Sequence, residues 1–139
     1  MLKVTVIQVG KTKSPAIHEL VLEYSKRISS SAKLDIVDVK TEEQLWAQIP
    51  SNAYVIALEV HGEQYDSDEF AQFIENAKNQ GNSHLVFLIG PAAGFTEYQR
   101  QVDQQISLSK MTFSHQSIRL ILLEQLYRAF SILEGKPFP

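Results

Sequence analysis

Apolar positions along the chain change period several times, and each change predicts an element. From Leu2 to Val9 they alternate loosely in a Val- and Ile-rich run, which predicts a first strand closed by Gly10. Ser14 and Pro15 then predict a helix start, with Ser as cap and Pro at the first position, where its missing N–H is no loss. Ile17, Leu20, Val21, Tyr24 and Ile28 continue at helical spacing. Leu34, Ile36 and Val39, with Asp35 and Asp38 between them, predict a second strand with one wetter face. The run from Thr41 to Gln44 has the form of a capping box and predicts a short helix burying Leu45, Trp46 and Ile49.

A turn at Pro50 precedes a third predicted strand, Tyr54 to Val60. Asp66 to Asn79 predicts a helix with a box-like start at Asp66 and Glu69 and an apolar stripe of Phe70, Phe73, Ile74 and Ala77. His84 to Ile89 is almost continuously apolar, the pattern of a parallel strand buried on both faces. The loop GPAAGF follows, after which Thr96 to Gln99 predicts the cap of another helix. From Ile106 the chain predicts a short strand, a Ser/Thr-rich turn and a long apolar helix. This alternation predicts an α/β fold, a single domain over residues 1–139 with a mostly parallel sheet flanked by helices.

Composition narrows the function classes. With 139 residues, 44% hydrophobic and 21% charged, the chain can bury a real core. It has no cysteine, which excludes disulfides, thiolate catalysis and Cys-ligated zinc and suits a reducing cytoplasm. The apolar run at the N-terminus is too short to span a membrane. A net charge of −3 argues against coating nucleic acid by bulk electrostatics, so an RNA partner needs a local basic patch. From Ile106 onward the balance reverses, with Lys110, Arg119, Arg128 and Lys136 against Glu124 and Glu134.

In open parallel sheets ligands collect at the loops beyond the strands' carboxyl ends. Three such loops stand out: Leu58 to Gly62, Gly90 to Gly94 and Ser107 to His115. The second is neither a dinucleotide fingerprint nor a Walker A loop, and taken alone it reads first as a tight strand-to-helix connection. No His/Asp/Glu cluster has metal-ligand spacing. The third places the hydroxyls of Ser107, Ser109, Thr112 and Ser114 beside Lys110, Met111 and Phe113, suited to a small amphipathic ligand or simply to capping the last helix. His115 sits at that helix's start and is either structural or a proton carrier near neutral pH. Arg119 falls on the apolar face with Leu122, Leu126 and Phe130, so it requires a ligand anion or an acidic partner within the fold. Arg128 lies four residues after Glu124, the spacing of a surface pair. The helix is otherwise apolar almost all round, which predicts packing against a second subunit.

Taken together, SLSKMTFSHQSIRLILLEQLYRAFSI resembles the C-terminal signature of the RlmH family of ribosomal RNA methyltransferases. LIGPAAGF resembles that family's glycine loop, VIALEVHG its preceding strand and KVTVIQVGK its N-terminus. The resemblance covers essentially the whole chain in order. It implies a SPOUT-type fold with a C-terminal trefoil knot, S-adenosyl-L-methionine as cofactor, a homodimer, and methylation of N3 of a pseudouridine (the 1915 site) in 23S rRNA of the assembled ribosome. By residue match, Leu58, Gly90 and the run Leu108, Ser109, Lys110, Met111, Thr112 and Phe113 would hold the cofactor. His115, Arg119 and Arg128 would belong to the active site, with His115 accepting the N3 proton and Arg119 steadying charge on the base carbonyls.

The chain departs from the family pattern in several places. The second glycine and the acidic residue usual in the glycine loop are replaced by Pro91 and Ala93, and the proline usual before the histidine is Ser114. The segment between the second and third strands is short and lacks its customary lysines. Family chains typically end in Tyr-His plus a basic residue, whereas this sequence ends in Phe138 and Pro139. Two other readings therefore stand beside the active enzyme: a weakened or inactive ribosome-binding relative that keeps the fold and pocket, and an unrelated α/β binder of small molecules.

Overall fold

A computed structural model of the chain describes residues 1–137. Phe138 and Pro139, where the sequence departs from the family's usual ending, lie outside the described residues. The central sheet has five parallel strands in the order β2-β1-β4-β3-β5. These are β1 (Lys3–Val9), β2 (Lys33–Val39), β3 (Tyr54–Gln64), β4 (His84–Ile89) and β5 (Gln104–Ser107). The helices are α1 (Pro15–Ile28), α2 (Glu42–Ala47), α3 (Ser67–Asn79) and α4 (His115–Leu133).

Local chemistry accounts for most boundaries. Ser14 caps α1 by accepting from the Ile17 N–H, with Pro15 at the first position. Asp66 and Glu69 form the capping box of α3. At α2 the box is modified. Thr41 accepts from the Gln44 N–H, but the Gln44 side chain accepts from the Lys40 N–H, one residue further back than the sequence predicts. In α1, Val21 and Ile28 are buried while Leu20, read as part of the apolar stripe, is 48% exposed.

Central β4 explains the core. Leu85, Phe87 and Ile89 face α1, α3 and α4, while Val86 and Leu88 face α2. Both faces are dry, which is why this strand is continuously apolar. Helix α4 lies between α1 and α3. Tyr24 donates to Glu124 across one flank and Ser67 donates to Gln125 across the other.

Two predicted boundaries change. Strand β3 continues to Gln64 and absorbs the segment Leu58–Gly62 that the sequence suggests is a loop. Ile106 pairs with both Leu58 and Glu63, so the residues between them bulge from the ladder. Gly62 makes this possible. A Cβ there would lie 2.8 Å from the Gln105 carbonyl carbon and 2.8 Å from the Ile106 nitrogen, both fixed backbone atoms.

The helix predicted after Thr96 does not form. Its would-be cap is intercepted by Glu42 of α2, whose carboxylate accepts from the Thr96 N–H, the Thr96 hydroxyl and the Glu97 N–H. Phe95 and Tyr98 pack on Trp46, with ring centroids 5.8 and 5.2 Å away, instead of lining one helical face. Burial alone would raise the Glu42 carboxyl, but the hydrogen bonds from Thr96 and Glu97 outweigh it and hold the group below its ordinary value.

Two outcomes follow. Gly62→Ala should lower stability by about 1–3 kcal/mol, read as a lower urea midpoint, because rigid backbone must move to admit the methyl group. Trp46 is the only tryptophan and reports on the segment tied to Glu42. Its emission should be steady above the ordinary glutamate value of 4.5 and change as pH falls through the lower folded value. Glu42→Gln, which removes the charge, should abolish that acid transition; an unaltered transition would contradict the tether.

Candidate functional site

The carboxyl ends of β3, β4 and β5 converge with the start of α4 on one cleft. It has about 150 Å3 of internal room and about 700 Å3 counting its open mouth. Leu58, Glu59 and Val60 come from the bulge of β3. Gly90, Pro91, Gly94 and Phe95 form the wall after β4. The third wall is Ser107 to Ser109 with Met111, Thr112 and Phe113. His115 and Ile118 close the cleft from α4.

Each wall has a physical reason for its shape. After β4, the Gly94 N–H donates to the Pro91 carbonyl at 2.8 Å, and Gly94 takes the positive φ of 94° that this turn requires. The turn folds Phe95 back over Gly90, where a Cβ would lie 3.0 Å from the ring. After β5, Ser107 donates to the Ser109 carbonyl at 2.8 Å, and the Ser109 hydroxyl accepts from the Met111 N–H at 3.0 Å. Two of the hydroxyls read as ligand contacts therefore also build the loop. On the β3 side, Tyr98 donates to Glu59 at 2.6 Å and joins the segment after β4 to the bulge. Burial, and then the bond to Glu59, push the Tyr98 phenol above its ordinary value, so it remains a donor.

The structure gathers most of the residues singled out from sequence. Leu58, Gly90, Leu108, Ser109, Met111, Thr112, Phe113 and His115 all line the cleft. Lys110, Arg119 and Arg128 do not. Arg119 is 3% exposed; its guanidinium donates to Asp38 of β2 and, through Nε, to Gln8 of β1 at 2.7 Å. Of the two resolutions open at the sequence level, the acidic partner within the fold is the one in place. Arg128 is half-buried midway along α4, and Glu124 accepts from Tyr24.

Sequence reasoning missed Glu59, Phe95 and Gln8. Glu59 is the one carboxylate lining the cleft among the described residues. A Glu at the end of an apolar strand is the signal that could have found it. Phe95 was visible only as the residue after a glycine. Gln8, a fully buried amide inside an apolar strand, was the clearest overlooked oddity.

The cleft suits a small, largely apolar ligand with a few polar groups. Its walls are mostly apolar, its floor at Gly90 has no side chain, and no Lys or Arg lines it among the described residues. No group of three or more His, Cys, Asp or Glu that could hold a metal occurs among those residues. No helix of the described residues is long and apolar enough to cross a membrane.

Comparison with known proteins gives a consistent result. Residues 2–138 match the family described as Predicted SPOUT methyltransferase. A Clostridium perfringens protein named Ribosomal RNA large subunit methyltransferase H 1 is 35% identical over 157 aligned residues, covering 99% of each chain. Proteins named Ribosomal RNA large subunit methyltransferase H from Carboxydothermus hydrogenoformans and Clostridium botulinum are 36% and 37% identical over the same length and coverage. Those alignments exceed the 139 residues of this chain, so the relatives carry segments it lacks. A match over nearly the whole length leads to one conclusion: the chain belongs to the SPOUT methyltransferase family, in its ribosomal RNA large subunit methyltransferase H branch.

Proposed function

We propose that this chain methylates ribosomal RNA with S-adenosyl-L-methionine, at N3 of the pseudouridine that the family resemblance indicates, in 23S rRNA of the assembled ribosome. The observation that carries this reading is the cleft itself. Three strand-end walls and two ionisable side chains, Glu59 and His115, meet at a single site. The relatives' names supply the substrate class. The same reading includes a cytoplasmic enzyme, a C-terminal knot and a homodimer. The exposed apolar residues Leu20 and Leu22 of α1 and Ile132 of α4 supply surface for a second subunit.

When bound, the cofactor supplies an electrophilic methyl group; the protein positions and deprotonates. Leu58, Gly90, Phe95 and the Leu108–Phe113 segment, apart from the exposed Lys110, would enclose it. Glu59, held by Tyr98, offers an acceptor for a hydroxyl or a cationic group. His115 takes the proton that must leave N3, and excluding water strengthens that transfer. Most of the acceleration comes from holding the two reacting centres in line. Lining residues alone account for these roles; Arg119 acts from behind them.

The decisive experiment is transfer of labelled methyl from S-adenosyl-L-methionine to ribosomes lacking the modification. Incorporation into 23S rRNA is expected; cofactor binding and ribosome association without incorporation would identify an inactive relative. His115→Ala should lower turnover by about 10²–10⁴-fold while cofactor affinity by calorimetry stays within a few fold. Wild-type turnover in that variant would remove His115 as the base. Gly90→Val should weaken cofactor binding at least about tenfold, because the added carbons must displace Phe95 or enter the cleft.

A further inference from the structure

His115 Nε2 lies 2.7 Å from the Val9 carbonyl oxygen. A carbonyl only accepts, so this nitrogen carries a hydrogen; a bare ring nitrogen there would set lone pair against lone pair. Gln8 Nε2 also approaches His115 Nε2, but at 3.4 Å. The two contacts call for opposite tautomers, and the shorter one decides. The Gln8 amide cannot turn over to change this. Its Oε1 accepts from Arg119 Nε at 2.7 Å, and exchange would set one N–H against another.

The connectivity explains what these bonds are for. His115 and Arg119 are four residues apart on α4, one turn of the same face. Gln8 and Val9 are adjacent at the end of β1. The Arg119–Gln8 and His115–Val9 bonds are therefore two parallel rungs between one helix and one strand. The Asp38–Arg119 pair anchors the inner rung to β2. Gly10 beside the ring takes a positive φ of 91°; a Cβ there would make only ordinary contact, 3.5 Å from His115 Nε2.

We propose that Arg119 and Gln8 are positioning residues whose rung sets the distance between α4 and β1, so that the Val9 carbonyl holds His115 as the Nε2–H tautomer and Nδ1 is the atom that accepts the substrate proton. This rests on the reading of His115 as the base. In the transfer, the N3–H bond breaks, an Nδ1–H bond forms, and the electron pair stays on N3. The resulting imidazolium keeps its Nε2–H bond to Val9 and later gives the Nδ1 proton to water. Arg119 contributes to the reaction without touching substrate, which is consistent with its place outside the cleft.

Long-range proton–nitrogen NMR of the full 15N-labelled chain tests this without catalysis. Neutral His115, identified by its loss in His115→Ala, should show a proton-bearing Nε2 and a pyridine-type Nδ1. The opposite tautomer in the wild type overturns the proposal. Gln8→Leu removes the acceptor for Arg119; it should give mixed tautomers and lower kcat on the order of tenfold, with KM for S-adenosyl-L-methionine within about twofold. Gln8→Glu, which keeps an oxygen for Arg119, should restore a single tautomer and most of the turnover. A role in stability alone would leave the tautomer single in every folded variant, and that result also overturns the proposal. Should Gln8→Leu fail to fold, Asp38→Asn, which weakens the anchor of the same rung, takes its place: mixed tautomers are expected, and a single tautomer overturns the proposal. Should His115→Ala transfer methyl normally, the base assignment fails while the tautomer spectra still report on the rung.

Discussion

A guanidinium buried to 3% exposure is the constraint around which this fold is arranged. Removing such a charge from water is expensive, and only a partner of opposite sign with further hydrogen bonds offsets it. Arg119 obtains both by drawing on two strands, Asp38 from β2 and Gln8 from β1. Its position near the start of α4, where the helix dipole disfavours a cation, adds to the need for Asp38. The cation thereby fixes the helix's first turn against neighbouring strand ends. His115 occupies that turn, so a side chain that never reaches the cleft governs one that does.

The opposite side of the cleft is built by close approach rather than by charge. Strand β5 reaches β3 only because Gly62 lets two backbones meet at the bulge. That bulge turns Glu59 and Val60 into the cleft, and Tyr98 then ties Glu59 to the segment after β4. The site thus has one wall on a rigid helix and strand, and others on loops held by single side-chain bonds. The division suits a ligand that must be enclosed and later released, as the proposed cofactor would be, against a fixed wall that carries His115.

Where local chemistry decides, the sequence is legible: the Ser14-Pro15 start of α1, the Asp66–Glu69 box of α3, and the apolar run of β4. Where a distant residue intervenes, it is not. Thr96 has the sequence of a helix cap, yet Glu42, 54 positions earlier, takes its donors and leaves an irregular segment. The length of β3 depends on a register shift against β5, which no period within β3 announces. Arg119 was recognisable as a misplaced cation, but its partner lies 81 positions away and could not be named from spacing. Of the cofactor positions carried over by resemblance, Lys110 alone falls outside the cleft, because residue matching preserves place in the chain and not the direction of a side chain.

The departures from the family's glycine loop can now be weighed physically. Pro91 restricts the backbone where a second glycine is usual, and Ala93 removes a carboxylate. Neither change leaves the loop undetermined. Glu42 binds its far end by three donors, Phe95 and Tyr98 stack on Trp46, and Gly94 supplies the positive φ of the turn. Glu59, on the facing strand, still presents one carboxylate to the cleft. The shape of this wall is therefore set mainly by contacts from α2 and β3, with little left for a second glycine to supply. A loop fixed in this way tolerates change within its own sequence better than change at Glu42 or Trp46, residues far from the cleft in sequence that carry no chemistry themselves.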